Sequence, residues 1–351
     1  MMQSYDVVDW GKPLQMVMRE TPKPTGTEVL IKLKYSGVCH SDVHIRDGYF
    51  ELGGGKRFYM TERGMKPPIT LGHEPLGTVI AAGPDAGAVP IGQDRLVCPW
   101  TGCGNCAKCT TGNDNLCMAP RFMGVVRPGG YADHLIVPHP RYLVDASGVD
   151  PAFAATLACS GLTTYGAIRR AGPFEADDWV VVIGAGGLGL QCIAILKALG
   201  HRNVAAVDID AGKLDAAKAA GASACFDSRD KEALAKLQKI SGGGTQAVID
   251  LVGATETATL GVASLRKGGK YVVCGLFGGE IPVSLVPMAQ RCIAIQGSYV
   301  GTVAELKEVV ALARSGKLKS IPIETRSLDQ AERSLQELKD GKIVGRVVLK
   351  M

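Results

Sequence analysis

No stretch of this 351-residue sequence approaches the ~20 uninterrupted apolar residues that a bilayer-spanning helix needs, so no membrane partner is expected. Met1 to Lys12 carries Asp6 and Asp9 and lacks a continuous apolar segment, so no secretory leader is expected there. Runs of lysine and arginine are missing, as are basic patches interleaved with aromatics, and aromatic residues make up only 5% of the chain. Nucleic acid is therefore not an expected partner. The 39 basic and 34 acidic residues are spread along the chain, and their net charge of +5 implies a mixed, solvated surface. Repeats and low-complexity tracts are also lacking. A soluble, cytoplasmic protein is the expectation. Its eleven cysteines are then better read as metal ligands or buried thiols than as a disulfide framework.

The length suits about two domains at the usual ~100–200 residues each, and 46% hydrophobic content allows a sizeable core. Through about residue 150 the chain is rich in glycine and proline, with short apolar runs at Val29–Leu33, Thr78–Ala82 and Leu135–Val137. That texture predicts an irregular, mostly β domain. From about Pro151, candidate strands at Val180–Ile183, Val204–Val207, Ala247–Leu251 and Tyr271–Cys274 alternate with alanine-rich helical segments. Such alternation predicts an α/β architecture with a helix-covered parallel sheet. An apolar run at Cys292–Ile295, a helix near Val303–Ala313 and a strand near Val344–Leu349 follow. Periodicity leaves open which domain this tail joins.

Val180 to Gly189 reads as strand, tight turn, helix. Gly184, Gly186 and Gly189 fit G-x-G-x-x-G: the first turns the chain, the second admits a pyrophosphate, and the third lets the helix pack on the strand. Gly187 and Leu188 complete the turn, whose free N–H groups and helix dipole would face phosphates. Asp208 stands about 20 residues further on, at the end of the next strand. There a carboxylate binds ribose hydroxyls and repels a 2′-phosphate, which favours NAD over NADP. Asp210 beside it is expected to be solvated or to start the next helix.

Cys103, Cys106, Cys109 and Cys117 crowd into fifteen residues. Four thiolates can close a tetrahedral Zn²⁺ shell with no position left for substrate, which would make the site structural. An Fe–S cluster is the metal alternative, and Cys98 upstream does not fit the spacing. A second, dispersed set comprises Cys39-His40-Ser41-Asp42-x-His44 and Gly72-His73-Glu74, each following an apolar run. A catalytic zinc needs three protein ligands and one open position. Cys159, at the entrance to the glycine-turn half, is a plausible third.

These motifs, with Gly129-Gly130-Tyr131-Ala132, Cys159 with Thr163, and Gly345-Arg346, occur in an order that resembles the zinc-dependent alcohol dehydrogenases of the medium-chain dehydrogenase/reductase superfamily. The likeness spans essentially the whole chain. It implies a GroES-like β-rich catalytic domain at 1–155 and 292–351, with a Rossmann doubly wound sheet at 156–291 inserted between. It implies two zinc ions per chain: a catalytic one on Cys39, His73 and Cys159, with Glu74 as an occasional ligand, and a structural one in the four-cysteine lobe. Asp42 would hold the His73 tautomer. Ser41 would take the substrate proton, and His44 would finish the relay to solvent.

By the same resemblance, His40 and Arg346 would contact the pyrophosphate and Lys213 the ribose, while Gly275, Leu276 and Ser298 would sit beside the nicotinamide. Thr163 is counted among the cofactor contacts. His40 stands where some members carry arginine, so weaker dinucleotide holding and faster release are expected. Ser41 is smaller than the threonine of some relatives, and Trp100 falls near a pocket-lining position. Medium-sized primary or secondary alcohols, with their aldehydes or ketones, are the expected substrates. A homo-oligomer is also implied, a tetramer before a dimer. The long Tyr49–Lys66 stretch would shape the pocket, make a subunit contact, or be a plain surface insertion. Two other readings are a zinc-free, NADPH-using quinone or enone reductase of the same superfamily and a non-catalytic nucleotide-binding redox sensor. Each would be expected to lack metal ligands or relay residues that this sequence has.

Overall fold

The computed structural model describes residues 1–351. Val180–Ile183 is buried along its whole length, with Val180 and Val182 packed into one apolar cluster and Val181 and Ile183 into another on the opposite face. A strand covered on both faces belongs at the centre of a parallel sheet. It pairs in parallel with Val204–Asp208 on one side and Thr245–Asp250 on the other. Ala224–Asp227 extends the sheet beyond the first, and Leu265–Val273 and Ala294–Gly297 extend it beyond the second. Strand order thus reverses beside Val180–Ile183, which is where open α/β sheets bind their ligands.

The earlier part of the chain builds a mainly antiparallel sheet around Val29–Gly37. That strand pairs with Pro75–Ala82, with His134–Val137 and with Arg346–Lys350, and the last also pairs in parallel with Ile323–Ser327. Its burial alternates with a period of two from Ile31 to Lys34, while both ends of the strand are buried on successive residues. Val348 lies opposite Gly37, two residues before Cys39, so the late strands return to the sheet that carries the dispersed motifs.

Two expected boundaries need correction. Ala294–Gly297 is the sixth strand of the parallel sheet, so residue 292 is too early for the chain's return to the first sheet. The apolar run at Cys292–Ile295 reads the same in either sheet, which is why periodicity did not assign it. The expected division between 155 and 156 falls inside a helix, Pro151–Thr156, which continues through a π-helical turn at Leu157–Gly161 into Leu162–Ala171. A helical segment, instead of an exposed linker, joins the two sheets. No helix is long and apolar enough to cross a membrane.

Candidate active site

Helix His40–Asp47 begins directly after Cys39 and aims Asp42 into a fully buried pocket. The Asp42 carboxylate accepts hydrogen bonds from the Cys39 N–H at 3.0 Å, the Gly72 N–H at 3.2 Å and the Tyr131 hydroxyl at 3.1 Å. His73 Nδ1 lies 3.0 Å from the same carboxylate. An ionised carboxylate only accepts, so Nδ1 carries a proton, and in the neutral imidazole that a metal would bind the lone pair is on Nε2. One side chain therefore ties together two motifs more than thirty residues apart and fixes the imidazole tautomer.

His73 Nε2 is buried and has no hydrogen-bond partner, and the same is true of Glu74 Oε2. Leaving such atoms unpaired is costly unless something else occupies them. Ligand atoms of Cys39, His73, Glu74 and Cys159 all lie within 4.8 Å of one another, and all four residues are buried. Contact with the Cys159 thiol, joined by His73, holds the Cys39 thiol well below its ordinary value against the opposing effect of burial. Burial pulls the His73 imidazole down, but Asp42 and Cys39 outweigh it and set the group well above its usual range. The first shift favours an anionic thiolate at Cys39 and the second a cation beside the Asp42 carboxylate, so the cavity pairs anionic donors with a positive group. A soft, imidazole- and thiol-rich donor set with an orphaned imidazole nitrogen fits a zinc-like cation.

Glu74 pairs with the buried Arg346 guanidinium, and burial nevertheless pushes its carboxyl up to about 7. Arg346 was expected at the pyrophosphate. With His40, Gly187 and Leu188 it lines one small cavity at the glycine turn, and its guanidinium donates to Glu74. A Cβ on Gly187 would strike the Arg346 side chain and the Gly345 carbonyl, so this glycine permits the close approach of the two sheets.

The glycine turn has the geometry that its pattern demands. Gly184 has φ of +90°, which glycine tolerates without strain. Gly186 has open space where a Cβ would be, and a Cβ on Gly189 would strike the Gly184 carbonyl. Helix Gly187–Ala198 follows directly. Asp208 closes the turn from the neighbouring strand, accepting the Ala185 N–H at 2.7 Å on one oxygen and the N–H groups of Ile209 and Asp210 on the other. Asp210 caps helix Ala211–Ala219 by accepting the Lys213 N–H. Thr163 is buried at the start of Leu162–Ala171; Gly275 is half-buried and Leu276 exposed at the end of the fifth strand. Ser298 is buried, and its hydroxyl has no partner.

Ser41 and His44 are half-buried on the first helix. The residues after that helix form a hairpin, Tyr49–Gly53 with Lys56–Tyr59. Phe50 lies over His44 with ring centroids 4.7 Å apart, and Phe277 approaches His40 at 6.1 Å. Burial lowers the pKa of both histidines, so they are neutral at pH 7. Gly53 of the hairpin abuts Gly278 and Glu280 of the other sheet's loop. Trp100 packs against His73, with ring centroids 5.4 Å apart.

The four lobe cysteines also form one cluster, their sulfurs within 4.8 Å of one another. The Cys103 N–H donates to Cys117 Sγ at 3.3 Å and the Ala119 N–H to the same sulfur at 3.4 Å, contacts that favour a thiolate acceptor. Cys98 is buried elsewhere, and burial pushes its thiol up to about 12. Sequence reasoning missed the Tyr131 hydroxyl, the Glu74–Arg346 pair, and Phe50 and Phe277. Tyr131, Glu74 and Arg346 each belong to a motif recognised in the sequence, but nothing in local spacing signals contacts made across the fold.

A family model described as "Alcohol dehydrogenase GroES-like domain" matches residues 25–147, and one described as "Zinc-binding dehydrogenase" matches residues 187–315. The NAD-dependent alcohol dehydrogenase of Sulfurisphaera tokodaii is 37% identical over 350 residues, 99% of each chain. That of Saccharolobus solfataricus is 36% identical over 349 residues, again 99% of each. The solved alcohol dehydrogenase of Aeropyrum pernix matches with a TM-score of 0.89 at 27% identity, over 99% of this chain and 100% of that one. The chain belongs to the zinc-dependent alcohol dehydrogenases of the medium-chain dehydrogenase/reductase superfamily.

Proposed function

We propose that this protein oxidises primary or secondary alcohols reversibly to aldehydes or ketones with NAD as hydride acceptor. The observation that carries the reading is the orphaned, carboxylate-oriented His73 Nε2 facing two thiols beside a glycine-turn cleft. Cys39, His73 and Cys159 would hold the catalytic zinc, with Glu74 as alternate ligand, and Cys103, Cys106, Cys109 and Cys117 a structural zinc. When bound, the metal lowers the pKa of an alcohol hydroxyl, and NAD accepts the hydride from the same carbon. Ser41 takes the hydroxyl proton. His44, kept neutral by its burial, passes that proton to solvent. Trp100 walls the substrate side of His73 and keeps water out.

For the dinucleotide, the N–H groups at Gly186, Gly187 and Leu188 and the dipole of helix Gly187–Ala198 favour the pyrophosphate. His40 and Arg346 add to that contact, and Gly184 and Gly189 shape the turn. Asp208 would bind the adenosine ribose with Lys213 near it, and Thr163, Gly275, Leu276 and Ser298 would flank the nicotinamide. Replacing Asp208 by alanine should cut the preference for NAD over NADP by roughly ten- to a hundred-fold, the value of a charged hydrogen bond of about 1.5–3 kcal/mol. An unchanged kcat/KM ratio for the two cofactors would remove Asp208 from that role.

A homo-oligomer, tetramer before dimer, is part of the same reading. Strand Ala294–Gly297 leaves one edge of the parallel sheet unpaired, and the nearby helix Leu285–Arg291 exposes Leu285 at 75% and Val286 at 65%. Such an edge invites strand pairing with a second copy. All eleven cysteines are unpaired, which suits a reducing cytoplasm. A zinc-free reductase finds no support in a chain with complete thiol and imidazole clusters. Metal analysis coupled to NAD⁺ reduction over an alcohol panel tests the whole reading. Two zinc per chain and NADH formation are expected; no NADH with any alcohol would overturn it.

A further inference from the structure

The helical segment that delivers Cys159 contains a flaw in its ladder. In an α-helix the Leu162 N–H would bond to the Ala158 carbonyl. Here it bonds to the carbonyls of Leu157 and Cys159, on either side of it, in a π-helical turn spanning Leu157–Gly161. The turn is wider than α-helix and places Cys159 at its centre. Such single-turn widenings are rare and are frequently found at functional sites.

The Ala158 carbonyl is taken up from outside the helix. Trp100 Nε1 donates to it at 2.8 Å, in a contact buried on both sides. The same indole is 4% exposed and lies against the His73 imidazole. Its backbone is held on both sides: Arg121 N–H donates to the Thr101 carbonyl at 2.8 Å, and Met123 N–H to the Pro99 carbonyl at 3.0 Å. Phe122 packs edge-on against the ring at 5.3 Å. A clamped side chain with a single N–H donor therefore touches one cluster residue with its ring and grips the turn that carries another.

We propose that Trp100 is a positioning residue whose indole N–H pins the π-turn at Ala158 and so keeps the Cys159 sulfur in register with Cys39 and His73. The proposal rests on the reading that these three residues hold the metal. Phenylalanine at this position would keep the wall against His73 and lose the pin. The ring and the N–H are thus separable contributions.

The test uses the full chain with cobalt in the Cys39–His73–Cys159 cluster and zinc in the lobe. Three proteins are compared with wild type: Trp100→Phe, a protein whose Trp100 alone is replaced by its benzothienyl isostere, in which sulfur stands for the N–H, and Cys159→Ser. The readouts are the rate of cobalt loss to a chelator and the thiolate-to-cobalt absorption band, beside kcat and KM. The first two proteins should lose cobalt roughly ten-fold faster, as disturbing an outer partner of a metal ligand does. Their bands should shift and their kcat fall, with KM for NAD unchanged. An isostere protein with the wild-type release rate and band would overturn the proposal. Cys159→Ser should lose one thiolate's share of the band; an unchanged band and release rate there would overturn the ligand reading itself.

Discussion

The two cysteine clusters gather four donor groups each in opposite ways. Cys103, Cys106, Cys109 and Cys117 come from one short loop and are partly exposed, with backbone N–H groups of their own loop donating to sulfur. Cys39, His73, Glu74 and Cys159 come from three separated segments and are wholly buried, and their order depends on the Asp42 carboxylate and its four partners. The lobe is self-contained, with four like donors that leave no open position. The buried cluster mixes thiol, imidazole and carboxyl and opens toward the glycine turn. A closed set of like donors suits structure, and a mixed, supported set suits chemistry.

Substitutions can break this contrast. Cys39→Ala should abolish turnover while circular dichroism and the lobe metal remain; Cys109→Ala should lower the unfolding temperature and spare turnover at low temperature. Equal loss of activity in both, with the fold intact, would erase the distinction. Asp42→Asn should weaken metal holding in the buried cluster by roughly ten- to a hundred-fold and leave the lobe unaffected, which a competition titration with a chelator would read. A smaller effect is expected at His44. Burial sets its pKa below the usual 6.5, so it gains a proton only in acid, and turnover should rise as pH rises through that lowered value and then level. His44→Gln should lower kcat and remove this acid limb from the pH profile. An acid limb identical to wild type would exclude His44 from the proton path.

The clusters also differ in how legible they were. Donors that are neighbours in sequence announce their clustering by spacing, and the four lobe sulfurs do gather as that spacing predicts. Asp208 and the glycine turn were legible for a related reason: a strand, a turn and the next strand are one local unit. Cys159 entered as a plausible third ligand only by its place in the chain, because its approach to Cys39 depends on the packing of two sheets. The Glu74–Arg346 pair joins residues from opposite ends of the chain and left no local trace. The sheet membership of Ala294–Gly297 was equally silent, since a short apolar run reads alike in either sheet. The π-turn was hidden too, because its backbone register is set by tertiary contacts.

The pairing of Arg346–Lys350 with Val29–Gly37 also has a bearing on synthesis. Until those late residues leave the ribosome, the backbone leading into Cys39 has a bare flank at Tyr35–Gly37, and Glu74 waits for its guanidinium. The Cys103–Cys117 loop needs no such wait and can fill as soon as it emerges. The nascent chain can thereby complete the four-cysteine cluster early, while the surroundings of the buried one are completed only when translation has almost finished.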